Sequence, residues 1–228
     1  MSRPVPEAAP IVGVVLTFGF GLFGLLFSSN HLSTLLISLC LLYGFTAFGI
    51  VRSPSPETVF RPDPVLAAGF LVAAVAALYG LVDGQPTFGV LVATVAVVPP
   101  ALYHAHFGAS INPLSPGTTL LCGLLAAIGL LVVGLLESRL VGAATATIVG
   151  VAAVEYHRVR GGHLRRSVRT AAVVVTLGGA IVVFGLAVAV GRPRDGLAFG
   201  AVLAAIGVFL QPFFRSGVPA AHRSRKKR

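Results

Sequence analysis

The sequence predicts an all-α integral membrane protein, a bundle of eight transmembrane helices joined by short loops. Three observations carry that prediction. Of 228 residues, 56% are hydrophobic and only 11% are charged, whereas soluble chains carry about 25% charged residues. The apolar residues fall in blocks of about the 20 residues that one helical pass of a bilayer requires. Finally, the basic residues divide unevenly between alternate breaks, as membrane insertion demands.

The eight blocks are Pro10 to Phe27, Leu32 to Val51, Pro64 to Val82, Thr87 to Phe107, Thr118 to Leu136, Leu140 to Tyr156, Thr170 to Val190 and Gly196 to Phe214. None holds Asp, Lys or Arg, and their single acid, Glu155, stands one residue from an end. The first block is too long for a signal-peptide core, and "FSSN" offers no small-x-small cleavage site, so it reads as a retained helix. The third begins at Asp63-Pro64, an N-cap followed by a proline at the first helical position. Asp83-Gly84 and Ser115-Pro116-Gly117 supply turns before the fourth and fifth. Glu137-Ser138-Arg139 reads as a tight hairpin between the fifth and sixth, because an unbroken helix would carry a charge pair near the bilayer centre. Residues 1–9 form a short N-terminus, 10–214 one membrane domain and 215–228 a basic tail.

With the N-terminus in the cytoplasm, 14 of the 17 Lys and Arg residues fall inside and only Arg139, Arg192 and Arg194 fall outside. A wrong number of spans would mix the two groups, so the expected location is the cytoplasmic membrane with both termini inside. The net charge of +10 then serves orientation rather than nucleic-acid binding, for which no motif or aromatic platform exists. Arg158, Arg160, Arg165, Arg166 and Arg169 form the densest basic loop. Their expected partners are anionic lipid head groups, to which each adds roughly 1 kcal/mol near a surface. Cys40 and Cys122 form no CxxC pair and read as small apolar fillers.

Small residues recur every fourth position in three blocks: Gly69, Ala73 and Ala77; Gly142, Ala146 and Gly150; Gly196, Gly200 and Ala204. Such stripes let helix backbones approach closely inside a bilayer.

The stretch "VVPPALYHAHFG", Val97 to Gly108, holds the candidate site. Proline inside a helix removes a donor and clashes with the preceding turn, so Pro99 and Pro100 should kink or break the fourth span. A broken membrane helix can present backbone to a transported solute. The prolines lie about 18 to 20 Å from the start of the block and His104 about 26 Å, against a core of roughly 30 Å. The transport or cavity candidates are therefore Pro99, Pro100, Tyr103, His104, His106 and, in the neutral loop that follows, Asn112. His104 and His106 face opposite ways on a helix and share a side only in extended chain. A metal set of His104, His106, His157 and Glu155 is chemically adequate for Zn or Fe, but no spaced signature supports it, and the expectation is no metal and no cofactor. The loop Gly108 to Gly117 reads as a turn rather than a re-entrant segment.

No Gly-x-Ser-Gly, paired intramembrane carboxylates or histidines ordered in alternate spans signal an enzyme. Three functions remain: a small transporter or permease; a non-catalytic subunit or scaffold packing against another membrane protein or a second copy; and, third, a histidine-site membrane enzyme. No intramembrane acid supports ion coupling.

Overall fold

The computed structural model describes residues 5–53, 55–136, 140–161 and 166–189, with scattered helical and turn positions from 191 to 205. Most of the eighth block, the basic tail, the Glu137-Ser138-Arg139 break and residues 162–165 lie outside the described residues. The regular structure among the described residues is all helix, with no strand: α1 (Val5–Phe27), α2 (His31–Arg52), α3 (Pro56–Val59), α4 (Pro62–Val82), α5 (Pro86–Phe107), α6 (Pro116–Leu136), α7 (Leu140–Arg160) and α8 (Arg166–Ala189). Four of them, α2, α4, α5 and α7, are long and apolar enough to cross a membrane. Helices α1, α6 and α8 are also long, of 23, 21 and 24 residues.

The boundaries follow local chemistry. The Asn30 side chain accepts the Ser33 N–H at 3.0 Å and caps α2, and Ser115 Oγ accepts the Thr118 N–H at 3.1 Å to cap α6. One expected cap is corrected. Asp63 does not cap α4, which starts at Pro62 with Arg61 as its cap residue. Proline at the first position leaves no donor unmet there, and Asp63 falls in the first turn, where its carboxylate turns to another helix. The one-turn helix α3 was not expected; it fills the link between α2 and α4.

Three antiparallel hairpins, α1–α2, α4–α5 and α6–α7, assemble around α5, which packs on α4, α7 and α2. Its central place shows in its burial, 72% against 22% for α4. Leu91, Val92, Val95 and Ala96 are fully enclosed. The α4–α5 contact depends on small residues. A Cβ added to Gly80 would lie 2.6 Å from Gly89 Cα, and one added to Gly69 would lie 2.7 Å from the Pro100 ring. The stripe read from sequence is thus the contact face at Gly69 and Ala73. Its third member shifts to Ala76, because a helix of 3.6 residues per turn drifts off a strict four-residue repeat. Gly142 and Ala146 are buried in α7. Gly196 and Gly200 pack against α8, where added Cβ atoms would meet Ala187 and the Ala180 carbonyl.

Because the atoms facing Gly80 are backbone, an added methyl cannot be relieved by a rotamer change. Gly80→Ala is expected to lower unfolding free energy in detergent by about 1–3 kcal/mol. Gly44→Ala, whose Cβ would meet nothing within 4 Å, should leave the thermal midpoint unchanged or slightly raised.

Candidate functional site

Helix α5 continues through both prolines from Pro86 to Phe107, so of the expected kink or break, the break does not occur. The reason lies in its neighbours. Pro100 has no N–H for the Ala96 carbonyl, and a freed carbonyl in an apolar interior costs free energy unless another donor reaches it. The Tyr43 hydroxyl of α2 supplies that donor at 2.7 Å. On the other side, Gly69 of α4 lets the Pro100 ring seat against its backbone. The proline pair is therefore held between two helices.

Above this floor α2 and α4 make little contact with each other among the described residues, although each packs on α5. The gap is a cavity of about 280 Å³ with Ala96, Pro99, Pro100 and Tyr103 as floor and Leu42 and Val72 among its walls. Two of its lining residues, Val14 and Ala68, are exposed. Three hydroxyls line it, and each proton is already given to a backbone carbonyl. Tyr43 donates to Ala96 O, Thr46 Oγ1 to Leu42 O at 2.9 Å, and Tyr103 to Pro56 O at 3.0 Å and Phe60 O at 2.7 Å. The Tyr103 bonds also tie α3 to the end of α5.

The last turn of α5 carries a separate polar knot. His104, 4% exposed, meets Asp63 of α4, with Nε2 2.9 Å from Oδ1. His106 points to α7, its Nδ1 2.9 Å from Leu102 O and its Nε2 3.7 Å from Glu155 Oε1. Glu155 is 2% exposed, and the Arg158 guanidinium donates to both of its oxygens. That bidentate pairing is what allows a carboxylate to be buried. Arg160 Nη2 donates to His104 O, Gly108 O and Ala109 O at 2.9 to 3.1 Å. It thereby satisfies the Gly108 and Ala109 carbonyls just past α5, adds a second donor to the His104 carbonyl that already accepts the Gly108 N–H, and sets a positive charge against the negative end of the helix.

These positions sort the sequence candidates. Pro99, Pro100 and Tyr103 line the cavity. His104 and His106 do not; they diverge to α4 and α7, as two residues two apart on a continuous helix must. Asn112 donates to Thr119 Oγ1 and accepts the Leu114 N–H, both at 2.9 Å, so it orders its own loop. The residues from Ala109 to Ile111 and from Pro113 to Ser115 are exposed, which makes the segment a turn. The set His104, His106, Glu155 and His157 is not gathered, and among the described residues no three His, Cys, Asp or Glu side chains stand as metal ligands. Arg158 and Arg160 face inward onto Glu155 and the α5 carbonyls instead of outward to lipid. The side chains of Arg165, Arg166 and Arg169 lie outside the described residues.

Sequence reasoning missed Tyr43 and the His104 partner of Asp63. Tyr43 reads as an interface aromatic, yet it sits in the middle of α2. The signal that finds it is the proline itself, since a freed carbonyl in a membrane helix calls for a hydroxyl on a neighbour. No family model, curated protein or solved structure matches this chain.

The bond between Tyr43 and Ala96 O gives a double-mutant cycle. Tyr43→Phe leaves a buried carbonyl unmet and is expected to cost about 1–3 kcal/mol in a detergent unfolding assay. In a Pro100→Ala background the helix supplies its own N–H, and the same substitution should cost at least about 1 kcal/mol less.

Proposed function

We propose that the chain is an eight-span protein of the cytoplasmic membrane, with both termini inside, that acts as a small permease whose solute occupies the cleft between α2 and α4. The observation that carries the functional reading is the cleft itself, edged by exposed residues and floored by the helix whose hydrogen-bond ladder is interrupted at Ala96. Ligand sites in helical bundles are concavities between helices with few polar groups, and this one fits that description. The span count draws support from the seven long helices among the described residues, which coincide with the first seven apolar blocks. The inward orientation draws support from the placement of 14 of the 17 basic residues.

Topology is tested by single cysteines in a background with Cys40 and Cys122 replaced by alanine. A cysteine at Ser110 should be shielded from an impermeant thiol reagent outside the cell, and one at Asp83 should be labelled. Asp83 is the better outer site because Gly84 sits at φ 69°, where a side chain is strained. Labelling at Ser110 would overturn the arrangement.

Transport is tested by uptake of a panel of apolar, zwitterionic and ionic small solutes into proteoliposomes. Ala68→Phe places a ring in the cleft from an exposed position and is expected to reduce uptake of the transported solute about tenfold, equivalent to about 1.4 kcal/mol. A panel inert with the wild-type chain would refute the permease reading.

A further inference from the structure

We infer that residues 55–61, the link that carries α3, form a strap across one end of the cleft, latched by the Tyr103 hydroxyl and able to lift as a unit. The inference rests on the reading of the cleft as the solute path and names its gate on the side of the α5 C-terminus.

The strap lies where a gate is needed. The cleft follows α5 from Ala96 to Tyr103, and Ile50, Phe60 and Val65 line its Tyr103 end. Ile50 stands two residues before the end of α2, and Val65 three residues after the start of α4. Both walls therefore stop at this level, and Phe60 lies in the link that joins them. Among the described residues α2 and α4 make little contact with each other. What spans the gap between the walls at this end is the link itself.

Its own bonding makes the strap a separable piece. The Phe60 N–H donates to Pro56 O at 2.9 Å, and the Thr58 N–H and Oγ1 donate to Ser55 O at 3.2 and 2.8 Å. These bonds stay within the link and travel with it. Glu57, Thr58 and Val59 are exposed, and among the described residues α3 packs broadly on no other helix. Segments with few buried contacts and exposed backbone are those that open first.

The latch is a single proton. Tyr103, 3% exposed, donates to Pro56 O at 3.0 Å and Phe60 O at 2.7 Å, one at each end of the α3 turn. These are the hydrogen bonds that tie α3 to the bundle among the described residues. Releasing them costs little. Pro56 O keeps the Phe60 N–H, and Phe60 O, next to the exposed Arg61, is left to water. The tyrosine ring is held independently against Phe107, with centroids 4.9 Å apart. The part that moves is therefore the strap, and the ring is its fixed post.

The full-length chain, with Cys40 and Cys122 replaced by alanine, is given one cysteine at Val72 on the cleft wall. It is purified in detergent and mixed with a charged thiol reagent, which stays out of the micelle and reaches the wall by way of the strap. Where opening and closing are fast, the labelling rate follows the open population. Tyr103→Phe keeps the ring and deletes the latch, and it should raise that rate about five- to tenfold, the worth of one net hydrogen bond. Phe60→Ala, with the latch intact, should raise it at least as much and stands in if Tyr103→Phe does not fold. Leu42→Cys, on the opposite wall, should follow Val72→Cys. A cysteine at Ala144, 0% exposed in the core, should label at one slow rate with or without the hydroxyl.

Equal wall labelling with and without the Tyr103 hydroxyl would overturn the gate, and solute uptake by the same chain would leave the permease reading standing. A rise at Ala144 in step with the wall would also overturn it, since the whole bundle would then have loosened. Latch-dependent wall labelling beside an inert uptake panel would establish the strap and refute the permease.

Discussion

The Ala96 carbonyl, freed by Pro100 and bonded by the Tyr43 hydroxyl, is the interaction on which the arrangement of the helices turns. Helix α5 is the hub, and a hub helix with two prolines in its C-terminal half would ordinarily bend away from its neighbours or admit water. Here the missing donor comes from α2 and the ring is received by a glycine of α4. Both neighbours are thereby fixed to α5 at one level, and because each is fixed to α5 and not to the other, a cleft remains between them. The defect in the ladder and the cavity beside it have a single cause.

The C-terminal end of α5 is secured by different physics. There the contacts are polar and reach the ends of side chains: the Asp63 carboxylate on the His104 ring, Glu155 on Arg158 beside His106, and Arg160 on three main-chain carbonyls. Buried charges are tolerated only when partnered, and a partner reaching across from another helix also fixes the register of the two. Arg160 and Tyr103 perform that service without a carboxylate, by donating to main-chain oxygens of neighbouring segments. The result is an α5 held by α2 and α4 at mid-depth and by α3, α4 and α7 at its end, with the cleft lying between those two levels of attachment.

Much of this was legible in the sequence, and the limits have physical reasons. The long helices, the turns at Asp83-Gly84 and Ser115-Pro116-Gly117 and the close approach at Gly69 follow from local chemistry, which depends only on residues a few positions apart. The opposition of His104 and His106 is also local, since it needs only the helical repeat. By contrast, Asp63 reads as a cap and Arg158 and Arg160 read as surface charges because their true partners lie 41, 3 and more than 50 positions away. For Arg158 even the nearby partner was misread, because the helix continues past Tyr156 to Arg160 and draws Glu155 inside it.

The sequence by itself determined that the chain is helical and apolar enough to enter a membrane, and that its fourth long apolar block carries a backbone defect, because hydropathy and the missing proline N–H are properties of the residues alone. Only the tertiary structure decided what becomes of that defect. Whether Pro100 breaks a helix depends on a hydroxyl 53 positions away at 2.7 Å from the freed oxygen, and no periodicity encodes that meeting. The same assembly decided that the cavity is donor-free, since a tyrosine or threonine in the sequence is a donor until the fold shows which carbonyl has taken its proton.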